Sequence, residues 1–219
     1  MKSKRTNDYL LWLISALITV ILMIVAYIGF LLIQPPAESE IPDYLVDDDG
    51  ITNIDPVLEI PDFTLTDHKN EPIQMSDLNG RPTLITFGFT HCPDVCPITL
   101  GEFRNIRDAL GESADSLDYV FISVDGERDS PAVLDTYFTT LRVADFIVGM
   151  TGTEDELRSV AEPFGVEFIL HEADQFANYN VDHTAGMFLL DADGNWIRRY
   201  RYATSSQIIA DDIQDYLNR

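Results

Sequence analysis

The stretch from Thr83 to Pro97 constrains this chain more than any other. Residues 83 to 89 are apolar, β-branched or aromatic apart from Gly88, the composition of a strand covered on both faces. Cys92-Pro93-Asp94-Val95-Cys96-Pro97 follows at once and holds the only two cysteines. Beyond it, Leu100, Phe103, Ile106 and Leu110 recur at helical spacing and predict an amphipathic helix with that buried stripe. A buried strand thus delivers a cysteine pair to the start of a helix. The unsatisfied N–H groups and partial positive charge of a helix N-terminus favour thiolate over thiol there, and thiolate is both nucleophile and metal ligand.

The N-terminus bears on where this pair works. Lys2, Lys4 and Arg5 lie in a basic tail, residues 1–8, ahead of an uncharged run from Tyr9 to Ile33. At about 1.5 Å per residue such a run crosses a hydrocarbon core of about 30 Å. A cleavable signal peptide has a shorter apolar region and a small-residue cleavage site, so residues 9–33 are read as an uncleaved transmembrane anchor. The basic tail stays in the cytoplasm, which sends the remainder to the other side, the periplasm of a bacterial inner membrane or its equivalent. Residues 34–56 carry Pro35, Pro36, Pro42 and Pro56 among Glu38, Glu40, Asp43 and Asp47 to Asp49. This composition predicts an acidic linker, with the globular domain over 57–219. In an oxidising compartment two cysteines so close together meet as a disulfide unless something keeps them reduced. Closing so small a loop removes little unfolded-state entropy, so the pair is a working one and not a staple.

Net charge is −23 over 219 residues, and the only lysines are Lys2, Lys4 and Lys69. Nucleic acid and anionic headgroups are excluded as partners, while a basic protein patch or a cation suits the charge. Plain solubility is the alternative reading of the acidity.

Along the domain, Phe63 to Thr66 and Pro72 to Met75 predict a hairpin around Asp67 to Asn70. Asp118 to Val124 predicts a second buried strand, and Ser130-Pro131 the start of a helix to Leu141. Phe146 to Val148 predicts a short strand, and Thr153 with Glu156 a capping box for a helix ending near Pro163. Val166 to Leu170 predicts a strand, and Glu172 to Asn180 a polar loop. Met187 to Leu190 and Trp196 to Tyr202 predict a hairpin across Asp193-Gly194. Thr204 and Gln207 are read as capping a last helix with Ile208, Ile209, Ile213, Tyr216 and Leu217 on one side. Strands alternating with helices, closed by a hairpin and a helix, predict an α/β domain of the thioredoxin-like kind. Right-handed crossovers put the cysteines at the C-terminal end of a central strand.

Three strings carry a resemblance. Phe87 to Pro97, then Phe121 to Asp125 with Glu127-Arg128-Asp129, then Val181 to Ala185 resemble the Sco/SenC family, over about residue 57 to the C-terminus. Those are membrane-anchored, thioredoxin-like copper-binding proteins that help assemble the CuA centre of cytochrome c oxidase. The resemblance implies copper as cargo, Cys92, Cys96 and His183 as its ligands, and the CuA-bearing oxidase subunit as recipient. It departs from the family at Gly126, where proline is usual.

Residue chemistry fits. Cysteines at i and i+4 lie on one face of a helix starting at or between them. Two thiolates with one imidazole suit Cu(I), and a Cu(II) form with a nitrogen ligand is also reasonable. Three donors argue against structural zinc, which takes four. Disulfide reductases of this fold resemble one another in a cis-proline facing the cysteines, and Ala185 stands at the matching place. A second function stays open, a thiol–disulfide oxidoreductase that reduces a copper-receiving partner. Either function needs a thiol reductant, and the first also needs a copper donor. A peroxidase is disfavoured because residue 89, three before Cys92, is Phe and not Thr. His91 is left out of the ligand set because its side chain points away from its neighbour's in an extended stretch. His68 and His171 are read as structural, and Phe87 and Phe89 as core. Asp94, Asp125 and Asp182 are candidates for tuning the site or docking a partner, with Asp94 equally a helix-start residue.

Overall fold

The structure is a computed structural model that describes residues 17, 19–23, 27, 49–172 and 179–219. Most of the expected anchor, the basic tail and residues 34–48 of the expected linker lie outside the described residues. Within residues 9–33, Leu17, Thr19 to Met23 and Tyr27 are helical. Among the described residues no helix is long and apolar enough to cross a membrane.

Tyr44–Arg219 forms one compact unit. Its strands are β1 (Ile51–Glu59), β2 (Thr64–Asp67), β3 (Pro72–Gln74), β4 (Thr83–Gly88), β5 (Asp118–Ser123), β6 (Ile147–Thr151), β7 (Phe168–Leu170), β8 (Val181–His183), β9 (Gly186–Leu190) and β10 (Asn195–Arg201). Its helices are α1 (Val95–Leu110), α2 (Pro131–Leu141), α3 (Glu154–Ala161) and α4 (Ser206–Leu217). Eight strands make one mixed sheet in the order β1-β10-β9-β4-β5-β6-β2-β3. The β4–β5 and β5–β6 pairs are parallel, and β9 runs antiparallel to β4 with Thr86 opposite Met187.

Every residue of β4 is buried, as its composition predicts for a central strand. Alternation along it splits the core in two. Leu84 faces α1, α2 and α4 through Leu100, Phe103, Leu134, Phe138, Ile209 and Ile213. Ile85 and Phe87 face the other way, toward Leu157 and Val160 of α3 and Phe168 and Val181 of the small hairpin. The stripe Leu100, Phe103, Ile106 and Leu110 is buried throughout.

Three expectations need correction. The domain begins before residue 57, because β1 pairs Ile51 with Tyr200 and Asn53 with Arg198 before its register shifts ahead of Leu58. Pro56, with no N–H to give, sits in that irregular stretch, and the acidic composition around it hides an edge strand. Second, the N-cap of α4 is Ser205 and it makes no side-chain cap bond, while Thr204 Oγ1 donates instead to Gly50 O at 3.3 Å. Third, the strand expected over Val166 to Leu170 is confined to β7, Phe168–Leu170, and it pairs in a separate two-stranded sheet with β8, which was not expected, His183 opposite Phe168. The capping box on α3 and the β2–β3 and β9–β10 hairpins form as predicted.

Candidate metal centre

β4 ends at Gly88, and the chain turns through Thr90 and His91 to reach Asp94, the N-cap of α1. Cys92 precedes the helix and is half-buried, whereas Cys96 lies in its first turn and is 2% exposed; both are free thiols. Gly88 is required by this approach, since a Cβ there would stand 2.9 Å from Cys96 Sγ and 2.8 Å from Phe121 Cε2. Phe89 N–H donates to Cys96 Sγ at 3.4 Å, and Cys96 N–H to Cys92 Sγ at 3.5 Å.

The small hairpin brings in the third residue. His183 Nε2 lies 3.8 Å from Cys96 Sγ, although 87 residues separate them. Its Nδ1 is 3.1 Å from Thr184 O. A carbonyl oxygen only accepts, so Nδ1 carries the proton and the Nε2 lone pair is directed at the cysteine. Burial lowers the His183 pKa, against smaller opposing effects of the Thr184 carbonyl and Asp182. The imidazole is therefore neutral and able to ligate at neutral pH. The Phe89 ring meets it edge-on at 5.8 Å. Among the described residues no three or more His, Cys, Asp or Glu side chains converge tightly enough to hold an ion. The pair Cys96–His183 is assembled, and Cys92 stands at its rim.

The expectation of a thiolate at the helix start fails at Cys96. Burial raises its pKa far more than the Phe89 N–H lowers it, and Cys92 and Asp129 raise it further. A helix terminus is worth about 1–2 kcal/mol at best, while burying a charge shifts a pKa by several units of about 1.4 kcal/mol each. Burial wins, and Cys96 keeps its proton at neutral pH.

Two buried carboxylates brace the site from behind. Asp129 is fully buried and accepts from Thr90 N–H at 2.9 Å, Thr90 Oγ1 and Ser123 Oγ at 2.8 Å, so it fixes the turn that leads to Cys92. Asp125, equally buried, accepts from Arg128 Nε and from Tyr179 Oη at 2.6 Å. Arg128 stacks on the Tyr179 ring at 3.6 Å and donates to Tyr179 O, tying the chain before β8 to the loop after β5. Asp125 therefore faces inward and has no surface to offer a partner. Thr90, Arg128, Asp129 and Tyr179 were not singled out as site residues by spacing. The acidic pair flanking Arg128 in a loop after a buried strand was the available signal.

The remaining candidates lie apart. His91 is exposed with Nδ1 3.1 Å from Thr90 Oγ1, on the Asp129 side. Asp182 is exposed and pairs with His171 at 2.8 Å. His68 is buried and accepts from Gly149 N–H at 3.1 Å, a structural role. Gly126 packs against backbone, since a Cβ would meet Gly152 O at 1.8 Å.

Comparison with known proteins matches this arrangement to one family. The SCO1/SenC family model matches residues 53–218. A SCO2-like protein of Rickettsia felis is 34% identical over 146 residues, 66% of this chain and 70% of that one. The structure of Bradyrhizobium japonicum ScoI with copper bound superposes with a TM-score of 0.65 at 34% identity, over 72% of this chain and 99% of that one. BsSco, a member of the Sco family of cytochrome c oxidase assembly proteins with an identified disulfide switch, superposes with a TM-score of 0.60 at 21% identity over 76% and 95% of the two chains, and shares the fold. With a thioredoxin-like sheet, a cysteine pair at its central strand and this match over most of its length, the chain belongs to the SCO1/SenC family.

Proposed function

We propose that this protein carries copper to the CuA-bearing subunit of cytochrome c oxidase, holding it through Cys92, Cys96 and His183. Copper is cargo here, received from a donor and passed on. The observation that carries the reading is the 3.8 Å separation of Cys96 Sγ and His183 Nε2. Two donors on one soft ion, with bonds of about 2.0–2.3 Å, stand about 3.5–4 Å apart. Neutral His183 offers its lone pair without losing a proton, and Cys96 gives up its proton as the ion arrives. Cys92, half-buried at the turn, completes the set by moving inward. The ScoI structure with copper bound, at 34% identity, supports copper over other soft ions.

The run 9–33 supports a single-pass anchor with its basic end in the cytoplasm and the domain in the periplasm. The second reading, reduction of a partner's cysteines, is favoured by one observation: both cysteines are free and adjacent in space. Copper(I) takes only the dithiol, so the two readings share one pair and a reductant serves both.

Copper titration of the reduced chain tests the primary reading. One copper per chain is expected, with Cys92→Ser, Cys96→Ser and His183→Ala each weakening binding. Unchanged affinity and spectrum in His183→Ala would remove the histidine from the ligand set. Full thiol–disulfide exchange with no copper retention would leave only the second reading.

A further inference from the structure

The two-stranded sheet that carries His183 is a weak element by itself. Its strands have three residues each, and among the described residues they pair only with one another. A lone two-stranded hairpin is at best marginally stable in water. Phe168 and Val181 give this one a buried underside. Apolar burial has no direction, so it cannot set where the imidazole stands. Two arginines supply the direction, and they do so in the same way. Arg128 stacks on the Tyr179 ring at 3.6 Å, and its Nη1 donates to the Tyr179 carbonyl at 2.9 Å. Arg158 stacks on the Phe168 ring at 4.4 Å, and its Nη1 donates to the Phe168 carbonyl at 3.2 Å. In each grip the guanidinium face meets a ring while its edge meets the carbonyl of the same residue. A planar fork that does both fixes that residue in place and in rotation.

The grips fall on both approaches to His183. Phe168 is its cross-strand partner, and Tyr179 precedes β8 on the chain that leads to it. Each arginine is held in turn by a carboxylate outside the hairpin, Arg128 by Asp125 in the loop after β5 and Arg158 by Glu154 of α3 at 2.6 Å. Their surroundings differ. The Arg128 and Asp125 side chains are 16% and 0% exposed, and the Tyr179 hydroxyl donates to the same Asp125 at 2.6 Å. The Arg158 and Glu154 side chains are 47% and 55% exposed, so water and salt screen that pair far more. We propose that Arg128 and Arg158, through Tyr179 and Phe168, are positioning residues that hold the β7–β8 hairpin where His183 Nε2 stands 3.8 Å from Cys96 Sγ, the buried grip being the stronger. Both act through the histidine, placing it before any ion arrives, which spares binding the cost of ordering it. The inference rests on the copper-carrying reading only for its effect on copper.

Tyr179→Leu removes the first stack and leaves Asp125 paired with Arg128, while Arg158→Gln removes the second stack at an exposed site. Neither variant strands a buried charge, so both are expected to fold. The test uses the full chain in detergent. Hydrogen exchange is followed on the metal-free protein, and Cu(I) affinity is measured by chelator competition with and without His183→Ala. In Tyr179→Leu the amides of β7 and β8 should exchange about tenfold faster, with those of β4 and β5 unchanged. Cu(I) affinity should fall about tenfold in the parent background and stay within about twofold in His183→Ala, where nothing is left to position. Arg158→Gln should show the same pattern with smaller changes. Where His183→Ala itself weakens binding, equal losses with and without the histidine would overturn the proposal, since the grips would then serve the fold at large. Hairpin exchange unchanged in both variants would also overturn it. A parent that binds no copper, or binds it equally well without the histidine, would end the copper-carrying reading at this residue. The exchange comparison would then decide the role of the two arginines by itself.

Discussion

A buried thiol sets the chemistry at the scale of single residues. Cys96 is held protonated by burial, and His183 is held neutral by burial. Loading must therefore expel the Cys96 proton, whereas His183 has none to lose from Nε2. From Cys96 alone, Cu(I) affinity should rise about tenfold per pH unit between about pH 6 and 8. Competition against a chelator corrected for its own protonation measures this, and a flat profile would mean that Cys96 is already a thiolate. The histidine acts in the opposite sense to a salt-bridged one. Its contribution to stability is complete above the ordinary histidine pKa of about 6.5 and is lost as pH falls toward the lowered folded value. Gly88 gives a second prediction. In Gly88→Ala the new methyl meets Cys96 Sγ and Phe121, so overpacking costs about 1–3 kcal/mol and Cu(I) affinity falls with the displaced sulfur. Gly101→Ala, in α1 with nothing within 4 Å, should leave copper binding alone and stabilise by about 0.5–1 kcal/mol. Denaturant melts and copper competition on both variants check the contrast.

At the scale of elements, the edge strand β1 is the part that composition concealed. A chain cut at Val57 loses Ile51, which is buried, the pairs from Ile51–Tyr200 to Asn53–Arg198, and the Gly50 carbonyl that accepts from Arg201 N–H and Thr204. Burial of Ile51 alone is worth about 1.5–3 kcal/mol. The cut chain should melt lower than one starting at Tyr44 and self-associate through the bared edge of β10. Light scattering and melting of the two chains decide it, and equal behaviour would show that β1 is dispensable. Most other elements were legible because each carries its own period: the all-buried run of β4, the stripe of α1, the capping box of α3 and the Asp193-Gly194 turn. Of the β7–β8 sheet only β7 was, within the strand expected over Val166 to Leu170, while β8 and the pairing were not. Three-residue strands are too short to show a period, and their pairing depends on contact with Phe89 and the second core layer. For the same reason His183 could be named only through a family resemblance, and its position opposite Cys96 follows from tertiary packing. Arg128 and Asp129 were signalled by the acidic pair around the arginine, whereas the roles of Thr90 and Tyr179 were not, because their hydrogen bonds to Asp129 and Asp125 join separate loops.

At the scale of the whole molecule, a charge of −23 surrounds a small, partly buried site. Exposed charge of one sign speeds encounter with a basic partner, and the gain fades as the Debye length shrinks from about 10 Å at 0.1 M salt to about 3 Å at 1 M. Association with an isolated oxidase subunit should therefore slow with salt while dissociation stays nearly constant. Stopped flow across a salt series measures both rates, and a flat association rate would assign the acidity to solubility. The anchor would hold this acidic domain near a membrane-bound recipient, so that steering acts over short distances. On the proposed reading, one copper ion bridges the start of α1 and the β7–β8 hairpin through two sulfurs and one imidazole. Copper-edge X-ray absorption on the reduced, Cu(I)-loaded chain tests it most directly. Two sulfur neighbours at about 2.2–2.3 Å and one imidazole nitrogen at about 2.0 Å are expected. The nitrogen contribution should disappear in His183→Ala. A spectrum with no imidazole, or one unaltered by that substitution, would contradict it.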